Sequence, residues 1–365
     1  MARTAPLPAL QPAQAHIFRA PTMGERRLSI DTLRGLACLL LVAFHVAGDS
    51  PSAGLQLGED HPLTRLNAAF AYLRMPLFSF LSGFVYAWRP WQGDSPGFLA
   101  GKTRRLLVPM LLAGTFFALL QAATPGANGG VAQWHMLHVL PVAHYWFLEA
   151  LFLIFVLTLL LERLGWMATG VRFLAVWLLS CALYVTNPLP VHFGLQGAAT
   201  LLPFFLLGLG CTRFLEQVRR RKVLGWSAMV LVVAGLYFAL APVWFPRPPG
   251  VAPLLIGASC CLFLLHARPE QRWLAWIGAF SFHIYLFHSM FSAASRIALQ
   301  RLGVEEIALL FAAGLCAGMA GPVVAGYLLR RLPMGHWVLG EPRRAKPARG
   351  ARLPRRLPAE TVRPG

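Results

Sequence analysis

The sequence predicts an all-α membrane protein that crosses the bilayer about ten times, and three observations support this fold class. Hydrophobic residues make up 57% of the 365 residues and charged residues only 13%, which is too little charge for a soluble protein of this length. The mean hydropathy is positive, at +0.57. Apolar runs long enough to span a bilayer recur from residue 31 to residue 329.

The predicted spans cover residues 31–48, 66–88, 106–123, 143–161, 173–188, 199–214, 227–245, 251–266, 276–298 and 305–329. Because their number is even, both termini lie on the same side, and the distribution of basic residues predicts that this side is cytoplasmic. Of the 33 Lys and Arg residues, 28 then lie inside, and the other five are Arg65, Arg74, Arg247, Arg296 and Arg301. The opposite orientation would reverse this ratio.

The net charge of +19 does not indicate a nucleic-acid partner, because the charge lies in loops and tails, as the positive-inside rule requires. The six cysteines all lie in apolar runs without the spacing of metal ligands. We interpret them as small buried hydrophobic residues, and we expect no metal site. The partner that composition does predict is the lipid bilayer.

Three segments are predicted along the chain. Residues 1–29 form a cytoplasmic N-terminal segment without the apolar core of a signal peptide, and residues 30–332 form the membrane domain. Residues 333–365 form a basic, Pro-rich cytoplasmic tail whose composition predicts disorder and attraction to anionic lipid. We find no internal repeat and expect no appended soluble domain.

The first span carries a cation and an imidazole on nearly the same face. Arg34 and His45 are about three turns, or roughly 16 Å, apart along the helix axis. Ionisable groups inside spanning helices are by default candidates for a functional site. The alternative is that Arg34 only anchors the helix at the interface and His45 is a hydrogen-bonded packing residue. This helix alone does not decide between the two interpretations.

A cluster of cations precedes the third span. Lys102, Arg104 and Arg105 fall within GKTRRLLVP, on the side predicted to be cytoplasmic. They could hold phosphate groups, because charge-assisted hydrogen bonds suit such ligands. The positive-inside rule alone could also explain them.

Later spans carry further polar side chains. Glu149 lies one turn inside the fourth span, at a depth comparable to that of His45, and it needs a partner from another helix unless it is protonated. Tyr285 and His288 lie on the same face of the ninth span and could line the same cavity. For Tyr285, a hydrogen bond between helices is an equally plausible role.

Six segments, in this order and at these spacings, resemble acyltransferase family 3: SIDTLRGLACLLLVAFH, MPLFSFLSGF, TRRLLVP, HYWFLEAL, FFLLGLG and IGAFSFHIYLFH. This membrane family includes the O-acetyltransferases of bacterial surface polysaccharides and lipopolysaccharide and the fucose O-acetylase-like group. The resemblance covers residues 30–330. In the family, the Arg and His that map onto Arg34 and His45 are regarded as essential. The family's basic residues before the third span map onto Arg104 and Arg105.

The resemblance implies a bacterial inner-membrane O-acyltransferase. Its donor would be cytoplasmic acyl-CoA, expected to be acetyl-CoA, and its acceptor a hydroxyl group of a cell-envelope glycan or glycolipid. No permanently bound cofactor is implied. The donor's phosphates need cations on the inner face, and the candidates are Arg34, Lys102, Arg104 and Arg105. The periplasmic hydrolase-like domain of larger family members has no expected counterpart here.

Residue chemistry suggests roles within such a site. His45 would be the general base for the acceptor hydroxyl or would carry the acyl group transiently. Glu149 or Tyr285 could orient its other ring nitrogen, and Tyr285 and His288 are candidates for stabilising the oxyanion.

Two other function classes remain open at this point. A transporter or flippase of the cell envelope could use intramembrane His and Glu as a proton relay, although such proteins more often show an internal repeat. A scaffold without chemistry predicts that His45 tolerates substitution. The sequence leaves open the acceptor, the acyl group and the oligomeric state.

Overall fold

The computed structural model describes residues 23–48, 53–58, 60–214, 220–240 and 248–342, and these contain helices but no β-strand. The predicted N-terminal segment up to residue 22, Arg247 and the tail from residue 343 lie outside the described residues. The helices are α1 (Met23–Ala47), α2 (Pro62–Ala69), α3 (Arg74–Trp88), α4 (Ser95–Lys102), α5 (Val108–Ala123), α6 (Trp146–Arg163), α7 (Gly170–Thr186), α8 (Leu195–Arg213), α9 (Arg220–Leu240), α10 (Val251–Ala267), α11 (Arg272–Ala279), α12 (Ser281–Arg301), α13 (Ile307–Leu329) and α14 (Gly335–Val338).

Each predicted span overlaps one of the longer helices, so the protein is a multipass helical membrane protein. Within the described residues, seven helical segments are long and apolar enough to cross a bilayer. An eighth is added if α10 and α11, which meet at a bend of 118°, count as one span. Three helices remain: α7, which has only 17 residues, α12, which carries His and Arg side chains, and α14, which has four residues. Ten crossings and cytoplasmic termini stay predictions.

The cations before the third span lie at an irregular point of a long helical segment. A π-helical turn, Thr103–Leu107, joins α4 to α5. Arg104 and Arg105 both belong to this turn. Such wide turns within α-helices are frequent at functional sites.

Close helix crossings hold α1, which carries Arg34 and His45, and α3, which begins at Arg74. A Cβ atom added to Gly83 of α3 would lie 1.9 Å from the carbonyl oxygen of Phe205 in α8. A Cβ atom on Gly35 of α1 would lie 1.9 Å from the carbonyl oxygen of Leu274 in α11. Only glycine allows backbones to approach this closely, so α1 and α3 are fixed against the rest of the bundle.

The chain remains ordered beyond the predicted end of the membrane domain. Residues 333–342 include α14, and Leu339 packs into the core. Arg330 donates hydrogen bonds of 2.6 and 2.9 Å to one carboxylate oxygen of Glu341. Residues 335–339 therefore pack against the bundle, because burial of apolar side chains such as Leu339 stabilises them there, and the disordered tail stays a prediction.

Candidate active site

A cavity of about 610 Å³ lies between the C-terminal end of α1, the N-terminal end of α3, and helices α5 and α12. This volume suits a small-molecule site. The wall is largely apolar, and its polar side chains come from distant parts of the chain. They are His45, Arg74, Gln121, Thr124, Asn128, His144, Tyr285, Ser289, Ser292 and Arg296.

Three imidazole rings meet at this cavity. His45 lies in the last turn of α1, His144 in the short 3₁₀ turn before α6, and His288 in α12. The ring centroids of His45 and His288 are 4.9 Å apart, those of His144 and His288 are 4.7 Å apart, and those of His45 and His144 are 5.6 Å apart. Within the part of the chain that the structure describes, no group of His, Cys, Asp and Glu side chains could hold a metal ion.

Hydrogen bonds fix the tautomers of two of these rings when both are neutral. His288 Nδ1 lies 2.8 Å from the carbonyl oxygen of Ile284 and 3.0 Å from that of Tyr285. A carbonyl oxygen can only accept, so Nδ1 carries the proton and His288 Nε2 accepts the hydroxyl hydrogen of Ser289, 3.2 Å away.

The Ser289 hydroxyl has then donated its only hydrogen, so its oxygen accepts from His144 Nδ1, 3.3 Å away. The proton of neutral His144 is therefore on Nδ1, and its Nε2 carries a lone pair. This Nε2 is buried and has no hydrogen-bond partner among the described residues. This assignment leaves a nitrogen lone pair in a ring whose centroid is 5.6 Å from that of His45.

Tyr285 positions this cluster through the backbone. Its hydroxyl donates to the carbonyl oxygen of His144, and the hydroxyl of Tyr145 donates to the carbonyl oxygen of Leu286 at 2.6 Å. The two bonds join the turn before α6 to α12. Tyr285 is thus a residue that bonds two helical segments together, the alternative role that the sequence left open.

The predicted oxyanion roles do not fit this arrangement. The hydroxyl hydrogen of Tyr285 and the Nδ1 hydrogen of His288 both bond to backbone carbonyl oxygens, so neither is available to an oxyanion. The structure brings the hydroxyl of Tyr285 to the backbone carbonyl of His144 and not to the ring of His45, so an orienting role of Tyr285 toward His45 stays a prediction. Both residues contribute to the site by holding His144 and Ser289 in place.

Glu149 lies away from the imidazoles. It is 4% exposed, it does not line the cavity, and neither carboxylate oxygen has a hydrogen-bond partner among the described residues. Its side chain packs instead against Gly194, where an added Cβ atom would lie 2.7 Å from the Cβ atom of Glu149. The structure therefore does not bring Glu149 to His45 or to the cavity, because this face of α6 meets the turn before α8.

Arg34 lies on α1 about three turns before His45 and does not line the cavity. The helix begins at Met23, earlier than predicted, so Arg34 is about three turns inside it rather than at its end. Its Nη1 atom lies 3.1 Å from a carboxylate oxygen of Asp31, and about a third of its side chain is exposed.

The cations at the π-helical turn differ in their surroundings. Lys102 Nζ lies 3.3 Å from the ring centroid of Phe155 and 5.2 Å from that of Phe98, so its charge faces aromatic rings. Arg104 Nε is buried without a hydrogen-bond partner among the described residues, and Arg105 is exposed. The Nε donor of Arg104 and the exposed side chain of Arg105 are therefore candidates for binding an anion, whereas the ammonium group of Lys102 contacts aromatic rings.

A family model for an acyltransferase domain, that of acyltransferase family 3, matches residues 27–330. The chain belongs to this family. No protein with a curated description matches the chain. The match includes both the cavity and the π-helical turn, so the imidazole cluster and the cations are parts of one membrane acyltransferase domain.

Sequence reasoning missed several residues of this acyltransferase that line the cavity. His144 lies in the segment HVLPVAHYWFL, and nothing local indicated that it meets α12. Ser289 follows His288 directly, and adjacent helical residues normally face different ways. Arg74 and Arg296 did carry a signal, because each is a cation on the side predicted to lie outside.

Proposed function

We propose that this protein is a bacterial inner-membrane O-acyltransferase. It moves an acyl group, in our proposal acetyl, from cytoplasmic acyl-CoA to a hydroxyl group of a cell-envelope glycan or glycolipid. The observation that carries the proposal is the imidazole cluster on a cavity of about 610 Å³, large enough for a sugar unit.

His45 is the general base of the proposed reaction, since it is the least buried residue of the three and lines the cavity. It takes the proton of the acceptor hydroxyl as that oxygen bonds to the acyl carbon. The bond between the acyl carbon and the CoA sulfur then breaks, and the thiolate leaves with the proton that His45 held. His144, His288 and Ser289 keep neighbouring nitrogens in defined protonation states.

The donor's phosphates bind at Arg34, Arg104 and Arg105 in this proposal. CoA is polyanionic, and guanidinium groups form strong bidentate contacts with phosphate. The long pantetheine arm then reaches from these cations toward His45. Lys102 is left out, because its ammonium group lies on the ring of Phe155.

Purified protein in neutral detergent, incubated with labelled acetyl-CoA, tests this proposal. In the absence of an acceptor, water replaces the sugar hydroxyl, so we expect slow release of free CoA. His45→Gln keeps the side-chain volume but cannot take a proton, and it should lower the rate by about a hundredfold to ten-thousandfold. Equal rates in the wild type and His45→Gln would show that His45 is not the general base. An absence of hydrolysis by the wild type would favour the proton-relay transporter.

A further inference from the structure

A second functional feature of the cavity lies away from the imidazoles, at Arg296. This side chain is 8% exposed and lines the cavity. Its Nη1 atom donates to Gln300 Oε1 at 3.1 Å. Its Nη2 atom donates to the carbonyl oxygen of Gly126 at 3.1 Å and to Asn128 Oδ1 at 3.2 Å. All of these partners are neutral, so they stabilise the guanidinium without neutralising its charge.

The charge of Arg296 is costly where it stands. Ions that are removed from water normally pair with an opposite charge, because the loss of hydration is otherwise uncompensated. None of the described residues that line the cavity is Asp or Glu. A second guanidinium, that of Arg74, lies on the same wall and adds positive potential, although it is bonded to Asn67 and stacks 3.9 Å from the ring centroid of Phe44.

Topology does not account for these cations. The positive-inside rule places Lys and Arg on the cytoplasmic side, whereas Arg296 belongs to the few predicted outside. Two others of that group, Arg65 and Arg301, are not part of the wall: Arg65 forms an ion pair of 2.9 Å with Asp60, and Arg301 is exposed. A buried cation kept on this side against the bias indicates a ligand of opposite charge.

The position of Arg296 relative to the imidazoles fits one extended ligand. Tyr285, Ser289, Ser292 and Arg296 follow one face of α12 at spacings of four, three and four residues, and all four line the cavity. Arg296 is about 12 Å along the axis from His288. A sugar with its reacting hydroxyl at His45 can therefore extend along this polar wall and place a charged substituent at Arg296.

We propose that Arg296 binds an anionic substituent, a phosphate or a carboxylate, on the acceptor sugar. The acceptor is therefore an acidic glycan unit and not a neutral one. This inference rests on the proposed function, because it names the acceptor class of the same cavity. A guanidinium group suits both anions, since its planar N–H donors match pairs of oxygen atoms.

The test is a calorimetric titration of the full chain in neutral detergent, without acyl-CoA. The probes are glucose 1-phosphate, glucuronate and glucose, so the first two separate phosphate from carboxylate. We expect one or both charged sugars to bind at least about tenfold more tightly than glucose. Arg296→Gln should weaken that binding about tenfold to a hundredfold, whereas Arg296→Lys, which keeps the charge, should weaken it less. Arg301→Gln, on the same helix but exposed, should bind like the wild type.

Equal affinity of the wild type for all three sugars would overturn the inference without any variant. Equal loss in Arg296→Gln and Arg301→Gln would also overturn it, since general surface charge would then explain the binding. Because the titration contains no donor, its result is independent of hydrolysis. A protein that binds the charged sugar at Arg296 but never cleaves acetyl-CoA would keep the anion site and remove the proposed transferase function.

Discussion

The two candidate site regions of this protein differ in how their polar side chains are held. Two of the cations proposed for the donor have local or exposed surroundings: Arg34 pairs with Asp31 three residues away, and Arg105 is exposed. At the cavity, the contacts join distant segments, such as His144 and Ser289, which are 145 residues apart. The first region resembles a surface that attracts an anion, and the second a pre-organised site that fixes protonation states.

If this contrast is correct, the donor cations affect binding and the imidazole cluster affects chemistry. Phosphate groups are remote from the reacting carbon, so their contacts are equally strong in the ground state and in the transition state. The hydrogen bonds around His144 and His288 set proton positions and matter when a proton moves. The predictions below separate the two effects.

The largest effect on CoA binding is expected at the cations proposed for the donor. Arg104→Ala should weaken CoA binding about tenfold to a hundredfold, because it removes charge-assisted hydrogen bonds, and it should leave the maximal hydrolysis rate unchanged. Calorimetric titration with CoA and saturation kinetics measure the two quantities. Arg163→Ala is the matched control, since Arg163 is exposed and lies on the same predicted side. If Arg104→Ala lowers the maximal rate and leaves CoA affinity unaltered, these cations would act in the chemistry and the proposed division between binding and chemistry would be wrong.

A smaller effect is expected within the imidazole cluster. Ser289→Ala removes the hydroxyl between His288 Nε2 and His144 Nδ1, and the loss of neutral hydrogen bonds should slow acetyl-CoA hydrolysis about twofold to tenfold. CoA affinity should not change. Ser180→Ala is the control, because Ser180 is a buried serine that bonds to the carbonyl oxygen of Trp177 in α7, outside the cavity wall. If Ser289→Ala and Ser180→Ala hydrolyse the donor equally fast, the hydroxyl has no part in the chemistry.

The smallest functional effect is expected at Lys102. Lys102→Met keeps an unbranched side chain against Phe155 but removes the ammonium group, so CoA affinity should stay at the wild-type value. Only stability should fall, by about 0.5–2 kcal/mol for the lost cation–π contact, which a lower unfolding temperature would report. If Lys102→Met binds CoA clearly more weakly than the wild type, Lys102 contributes to donor binding.

The sequence predicted the helices well because bilayer-spanning runs are a local signal. It also placed Arg34 and His45 on one helix, since their spacing can be read directly. It could not predict how the helices are rotated. From the sequence alone we considered Glu149 a partner for His45, but in the structure the face of α6 that carries Glu149 packs against Gly194. The bond from Tyr285 to the backbone of His144 likewise depends on a contact between segments that no local pattern reveals.

The tail shows the same limit at a smaller scale. The basic, Pro-rich composition of residues 341–365 predicted disorder, and the predicted tail was begun at residue 333, but Leu339 is buried in the core. Composition averages over a segment, whereas a single buried side chain can order several residues near the point where the chain leaves the bundle.

The most direct test of the account is a side-by-side titration of CoA into His45→Gln and Arg104→Ala. The account predicts that His45→Gln binds CoA as tightly as the wild type, although it has lost hydrolysis, and that Arg104→Ala binds about tenfold to a hundredfold more weakly. Weakened binding in His45→Gln together with wild-type affinity in Arg104→Ala would contradict the assignment of donor binding to one region and chemistry to the other.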